Sequence, residues 1–292
     1  METLIGQGRM AIGLIVDPDS FEENKVGDLA IEDPDFGPGA VIGTARLDGV
    51  ACTVIANDAQ VSNPKFPVVY AGVIGMEEAY KMALAVYHSV QADREKPLAE
   101  KRPLVLVVDT PGNGPGKQEE MFGMNKATGA YQLALAEARK AGHPIVAMVV
   151  GRAISGAFLC HGLQADHILS MSPAFSTMIH VMPLTSVARI TKLDIERLEA
   201  LSKDNPVFAA GPDFFYRLGG VEEIVDSVES IREAVLRHVG EVRALKLAGK
   251  LADIGPWGRG ELGDARGGRV VRKKVMALMN DQFAAVADKY AS

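Results

Sequence analysis

The chain has 292 residues, 48% hydrophobic and 23% charged, with 31 basic against 37 acidic residues and a net charge of −6. That is enough apolar sequence to bury a full core, in one large domain or two ordinary ones. No basic block and only 6% aromatic residues leave neither a phosphate-tracking stripe nor a base-stacking platform, and no apolar run approaches the ~18 residues of a membrane span, so no nucleic-acid partner and no membrane are expected.

The first segment, METLIGQGRMAIGLIV, has neither the charged start nor the long apolar stretch of a signal peptide. Two cysteines, Cys52 and Cys160, form no disulfide framework and no metal-ligand spacing, which predicts a reducing, cytoplasmic setting and no metal site. GQGRMA from Gly6 loosely echoes a dinucleotide fingerprint, but too few residues precede it to make the required strand. Residues 1–39, rich in Gly, Asp and Pro, predict an extended N-terminal arm, and residues 40–292 a single α/β domain with C-terminal helices. AVIGTARL and VACTVIAN around Asp48-Gly49 predict a hairpin. A helix over 75–92 follows, with Met76, Ala79, Ala83, Val86 and Val90 on one face.

PLVLVVD then predicts a buried strand, followed by a Gly/Pro loop and a helix over 126–140 that Gly142 and Pro144 close. IVAMVVG is a second buried strand, leading into the glycine-bearing turn RAISGAFLCHGLQ, and DHILSMS is a third. Apolar strands alternating with helices imply parallel βα units. ITKLDIERLEALSK is helical, residues 227–251 read as a long amphipathic helix, and the basic, glycine-rich GRGELGDARGGRVVRKK precedes a terminal helix.

The loop in LVLVVDTPGNGPGKQE resembles a phosphate cradle, but Pro111 stands where a P-loop needs its first glycine and Gln118 where it needs Ser or Thr. A different chemistry fits two glycine turns on consecutive strands, DTPGNGPG and GRAISGA. Gly112, Asn113 and Gly114 in one turn, and Gly156 and Ala157 in the other, can present free backbone N–H groups to one point. That makes an oxyanion hole for an enolate or tetrahedral oxygen. Taken singly, each turn reads first as a tight βα connection; their placement on consecutive strands brings the two readings level.

Asp109, Thr110, Pro111, Gly112, Pro115 and Gly116, with Val146 to Gly151 and Ser155-Gly156, resemble the carboxyltransferase half of acyl-CoA carboxylases over residues 100–190. GAFL and MIHVMP are also similar to ClpP-type serine peptidases, but the position of that nucleophile is occupied by Ile154. Ala153 and Ile154 stand where the biotin-using pattern has two glycines, and there side chains would narrow the approach of a biotin ring. No Ala-Met-Lys-Met biotin-attachment motif is present. With GRAISGAFLCHG and TMIHVMP, the chain most resembles the gamma-subunit family of biotin-independent malonate decarboxylases.

The resemblance implies a crotonase (ClpP-like) fold of repeated ββα units with flanking helices. It implies a heterodimer with a beta-type subunit of the same fold and decarboxylation of a malonyl thioester carried on the phosphopantetheine-type group of an acyl-carrier subunit. No cofactor bound by this chain is expected; the alternative is a carboxyltransferase subunit of a biotin-dependent enzyme. The expected catalytic residues are His180 as proton donor, Ser155, and the amides of Gly112, Asn113, Gly156 and Ala157, with Arg152, Lys117 and His161 on the substrate. For each side chain a structural role is the competing reading: His180 holding a loop, His161 packed inside, Ser155 capping its helix, Arg152 and Lys117 solvated. Asp109 is expected to anchor its own turn. Arg272, Lys273 and Lys274 are expected to meet an acidic carrier electrostatically.

Overall fold

The computed structural model describes residues 3–114, 116–182, 184–204 and 210–290; Pro115 of the loop motif lies outside them. In chain order the elements begin with α1 (Gly8–Ile15), three two-residue strands β1 (Glu22–Glu23), β2 (Lys25–Val26) and β3 (Leu29–Ala30), the hairpin β4 (Ala40–Leu47) and β5 (Val50–Asn57), and α2 (Met76–Ala92). The middle carries β6 (Leu104–Thr110), α3 (Lys117–Phe122), α4 (Met124–Lys140), β7 (Ile145–Ile154), α5 (Ser155–Cys160), β8 (His167–Met171) and β9 (Met178–His180). The remainder is α6 (Leu184–Thr191), α7 (Ile195–Asp204), α8 (Pro212–Arg217), β10 (Glu223–Val225), α9 (Ile231–Leu247), α10 (Gly255–Ala265) and α11 (Arg272–Ala284).

One sheet runs in the order β1-β4-β5-β6-β7-β8-β10, with β9 paired to the far end of β7. β4 and β5 are antiparallel across Asp48 and Gly49, both at positive φ, as a tight hairpin turn requires. From β5 onward the pairs are parallel, and α2 and α4 are the crossovers. The unbroken apolar runs of β6 and β7 are explained by burial on both faces. Leu104, Leu106, Val108, Ile145, Ala147 and Val149 point to α2 and α4, while Val105, Val107, Val146, Met148 and Val150 point to α1 and α9. Period-two alternation splits each run between two cores.

The expected extended arm is corrected. GRMAIGLI forms α1, with Ala11, Ile12 and Ile15 buried and Leu4 beside them in the same core. Three glycine and small residues in eight hide the helix in the composition. Burial of Leu4, Ile12 and Ile15, worth roughly 1.5–3 kcal/mol each before chain entropy, holds it on the sheet. β1 then pairs antiparallel with β4, so the arm is part of the fold.

Candidate functional site

The site lies where β6 and β7 end. Their register runs Val108↔Val149 and then Thr110↔Ala153, so three residues of β7 stand opposite Asp109 alone. This bulge is filled by the Asp109 carboxylate, which is buried. Its Oδ1 accepts the Arg152 backbone N–H at 2.9 Å and Arg152 Nε at 2.8 Å; its Oδ2 accepts Arg152 Nη2 at 3.1 Å and the Gly6 N–H at 2.7 Å. Gly151 has no room for a side chain, since a Cβ there would lie 2.6 Å from Asp109 Oδ1. A charge-assisted clamp of this kind re-aims the strand end and holds it.

Past the clamp, Gly112 adopts φ +141°, a conformation open mainly to glycine. The Gly112 carbonyl accepts the Ile74 N–H, and the Gly114 N–H donates to the Ile74 carbonyl, both at 3.0 Å. The Gly114 amide is therefore spent, while the Asn113 N–H, between the two bonds, points away from that pairing. At the end of the neighbouring strand, Ser155, the first residue of α5, sits at φ +58°, a strained strand-to-helix elbow costing on the order of 1 kcal/mol. The two turns touch. A Cβ on Gly156 would lie 2.3 Å from Asn113 Oδ1, and one on Gly112 would lie 3.9 Å from Ser155 Cβ. Gly156 and Ala157 open the first turn of α5, where amides lack intrahelical acceptors. With only six residues in α5, the aim of these amides matters more than any helix dipole.

β9 runs alongside the end of β7 with Ile154 opposite His180, which puts His180 beside the elbow. It is half-buried, and burial lowers its pKa, favouring neutral imidazole. Ser155 is exposed, makes no cap bond to its helix, and among the described residues its Oγ has no hydrogen-bond partner. The structure thus brings together Gly112, Asn113, Ser155, Gly156, Ala157 and His180.

Two other expectations come out differently. Arg152 is not a free cation: Asp109 holds it, and its Nη2 also donates to the Ala71 carbonyl at 2.9 Å. His161 is fully buried and packed inside, because Nε2–H donates to the Val107 carbonyl at 3.1 Å and Nδ1 accepts the Tyr131 hydroxyl at 3.0 Å. Burial pushes its pKa down to about 4. In the basic C-terminal segment Arg272 pairs with Glu261 at 2.6 Å and Lys273 with Asp264 at 3.3 Å, while the Lys273 and Lys274 side chains stay exposed. Lys117 is exposed at the start of α3, in a pocket with Gln118, Met121 and Phe122. Burial pushes both cysteine thiols up to about 12, which leaves neither reactive. Sequence reasoning missed the reach of Asp109 to Gly6 and Gly151; a glycine in a strand otherwise made of large residues was the available signal.

Ala153 belongs to the core and Ile154 keeps 7% of its surface exposed. The side chains expected to narrow a biotin approach are packed away, so that steric argument has no basis in the structure.

The family model for the malonate decarboxylase gamma subunit matches residues 70–283. The chain belongs to the malonate decarboxylase gamma-subunit family. It is 68% identical over 289 residues, 99% of each chain, to the malonyl-S-ACP:biotin-protein carboxyltransferase of Malonomonas rubra. Among solved structures it superposes on a Pseudomonas malonate decarboxylase hetero-tetramer in complex with coenzyme A, with TM-score 0.68 and 34% identity, covering 88% of this chain and 95% of that one. Transcarboxylase 12S, at TM-score 0.63 and 22% identity, covers 81% of this chain and 40% of that one and shares the fold. The chain therefore has a mixed α/β, carboxyltransferase-like fold. No helix among the described residues is long and apolar enough to cross a membrane.

Proposed function

We propose that this gamma-type subunit, paired with a beta-type subunit of the same fold, acts as part of a carbon–carbon lyase. It removes the carboxyl group of a malonyl thioester held on the phosphopantetheine-type arm of an acyl-carrier subunit. Breaking the bond from C2 to the carboxyl group leaves a thioester enolate, so oriented donors aimed at the developing anion are the main requirement. The amides of Asn113, Gly156 and Ala157 are those donors; the expected Gly112 amide is not one of them, because its N–H donates to Thr110 Oγ1 at 3.3 Å and so shapes the turn. The observation that carries this reading is the contact of Asn113 with Gly156, which brings the two turns to one point. Ser155 Oγ, exposed and without a partner among the described residues, orients the substrate, and Lys117 meets the phosphate of the arm.

The carboxyl group goes to a biotin protein in our reading, because the relative at 68% identity is named for that transfer. Carboxyl then moves to the acceptor nitrogen and the proton of that nitrogen moves to C2, which balances the reaction. His180, kept neutral by burial, then donates a hydrogen bond and need not be the proton source. Release of CO2 without biotin is the second reading, favoured by the match to the Pseudomonas malonate decarboxylase.

The finer fold is of crotonase type with repeated ββα units. The β4–β5 hairpin followed by α2 supports it, as does the short β9 riding on the end of β7. Residues 40–292 act as one domain. A contact face for the partner is supported by α11, whose Val275, Leu278, Met279 and Phe283 are large, apolar and exposed. Two free buried cysteines support a cytoplasmic setting.

The test is loss of carboxyl from a malonyl thioester by the co-purified complex, with added biotin protein and with or without avidin. Arrest by avidin is expected. Avidin-insensitive CO2 release would overturn the acceptor while leaving the decarboxylation intact, and no carboxyl loss in any arm would overturn both. Full turnover by Ser155→Ala and His180→Gln together would assign their chemistry to the partner chain.

A further inference from the structure

At the opposite end of β7 from the two turns, a second polar cluster sits on the sheet edge. His167 opens β8, beside Val146 of β7, while His238 and Glu241 lie one turn apart on α9. Both histidines are more than nine-tenths buried, whereas the Glu241 side chain is about half exposed. His167 Nδ1 faces His238 Nδ1 at 2.8 Å. Glu241 Oε2 lies 3.3 Å from His238 Nδ1 and 3.9 Å from His167 Nδ1. Three ligand-type atoms thus converge, and together they could hold a metal ion.

The surroundings settle which nitrogen is available. His238 Nε2 lies 2.7 Å from Glu223 Oε2 on β10 and 3.3 Å from Arg237 Nη1; the shorter contact, to the carboxylate, assigns the proton to Nε2 and leaves the Nδ1 lone pair toward the cluster. Glu223 is itself gripped by Arg237 Nη2 at 2.8 and 2.7 Å. A carboxylate orienting the far nitrogen of a histidine is the arrangement that fixes metal-binding imidazoles. Bonds of about 2.0–2.2 Å at tetrahedral angles place ligand atoms roughly 3.3 Å apart, and the three observed separations bracket that figure. Two nitrogen ligands and one carboxylate favour zinc-class ions over magnesium or calcium, which prefer all-oxygen shells. His238 and Glu241 also border a cavity of about 370 Å³, where a water can complete the shell.

We propose that His167 Nδ1, His238 Nδ1 and the Glu241 carboxylate form a site for one zinc-class divalent ion. The ion ties β8 to α9, and through Glu223 to β10, and so braces the sheet edge away from the paired turns. The cysteine spacing that predicted no metal site is blind to this set, whose two histidines are 71 residues apart in the chain.

The test uses the full chain stripped of metal with a chelator and then titrated with zinc sulfate by calorimetry, alongside thermal melts and a magnesium control. One zinc per chain and a raised melting temperature are expected, with no saturable magnesium binding. Glu241→Gln, at an exposed position, should weaken zinc at least tenfold without lowering the metal-free melting temperature. His238→Gln should abolish stoichiometric binding. Cobalt(II) should give a tetrahedral absorption band that Glu241→Gln shifts. No stoichiometric zinc would overturn the proposal, since the two histidines would then share only a proton. Equal zinc affinity in wild type and Glu241→Gln, or an unshifted cobalt band, would overturn it too.

Discussion

Two buried aspartates grip β7 from its two ends, and they do different work with the same chemistry. Asp109 takes the Gly6 N–H and three bonds from Arg152, and it fills a bulge that turns the strand out of regular register. Asp166 takes the N–H of Ile145, the first residue of β7, at 3.0 Å, with Arg139 Nε at 2.6 Å and Lys246 Nζ at 2.9 Å. The first carboxylate stabilises an irregularity and so places the elbow at Ser155. The second holds a regular strand start to α4 and α9. A buried ion pair is therefore weak evidence for function in itself, and what separates the two is whether the backbone around it departs from the ladder.

The difference can be pressed experimentally. Asp166→Ala should give the largest loss, about 3–5 kcal/mol in urea melts, because Arg139 and Lys246 are left buried without their partner. Any complex that still assembles should keep its KM. Acid should strike the other end. The His161 pKa falls from 6.5 to about 4 through burial, so the folded state resists a proton that the unfolded state accepts. Stability from this group is complete above about 6.5 and is lost as pH falls toward about 4, on the order of 3 kcal/mol in all. His161→Gln should flatten that part of the pH dependence.

Asp109→Asn keeps the shape but weakens the clamp. A fall in kcat of about 100-fold with a smaller stability loss is expected, since displacement of about 1 Å at a positioned group has that effect. A stability loss equal to that of Asp166→Ala, with kcat unchanged, would erase the distinction between the two ends. The mildest test is Gly156→Ala, whose Cβ must push the flexible Asn113 side chain aside; kcat/KM should fall roughly tenfold while the melting temperature barely moves.

Much of the fold was legible because the central strands announce themselves. Runs such as LVLVV and IVAMVV admit only a strand buried on both faces, and the helices around Ala83, Ala134 and Val239 carry the matching stripes. α1 was not legible, since glycines dilute its stripe and its burial depends on α9, more than 200 residues away. At the site, the glycine turns were readable because free amides need little beyond backbone. Side-chain roles were not. Arg152 and His161 look like ligands in a motif, yet whether each faces substrate or a neighbouring carboxylate or carbonyl is decided by strand register, which one sequence does not reveal. The His167 cluster was hidden for the same reason, though His238 and Glu241 at i and i+3 on a helix offered half the signal.

The bond from Gly6 to Asp109 spans 103 residues, and Asp109 must wait a further 43 for Arg152. As the chain emerges and folds, α1 can form early, but the clamp closes only once β7 has been made and paired. Contacts so distant in the chain form slowly, so the turns gain their final aim late in folding. A species with a native-looking sheet and helices, yet with its N-terminal residues undocked, would be well folded by most spectroscopic measures and still inactive.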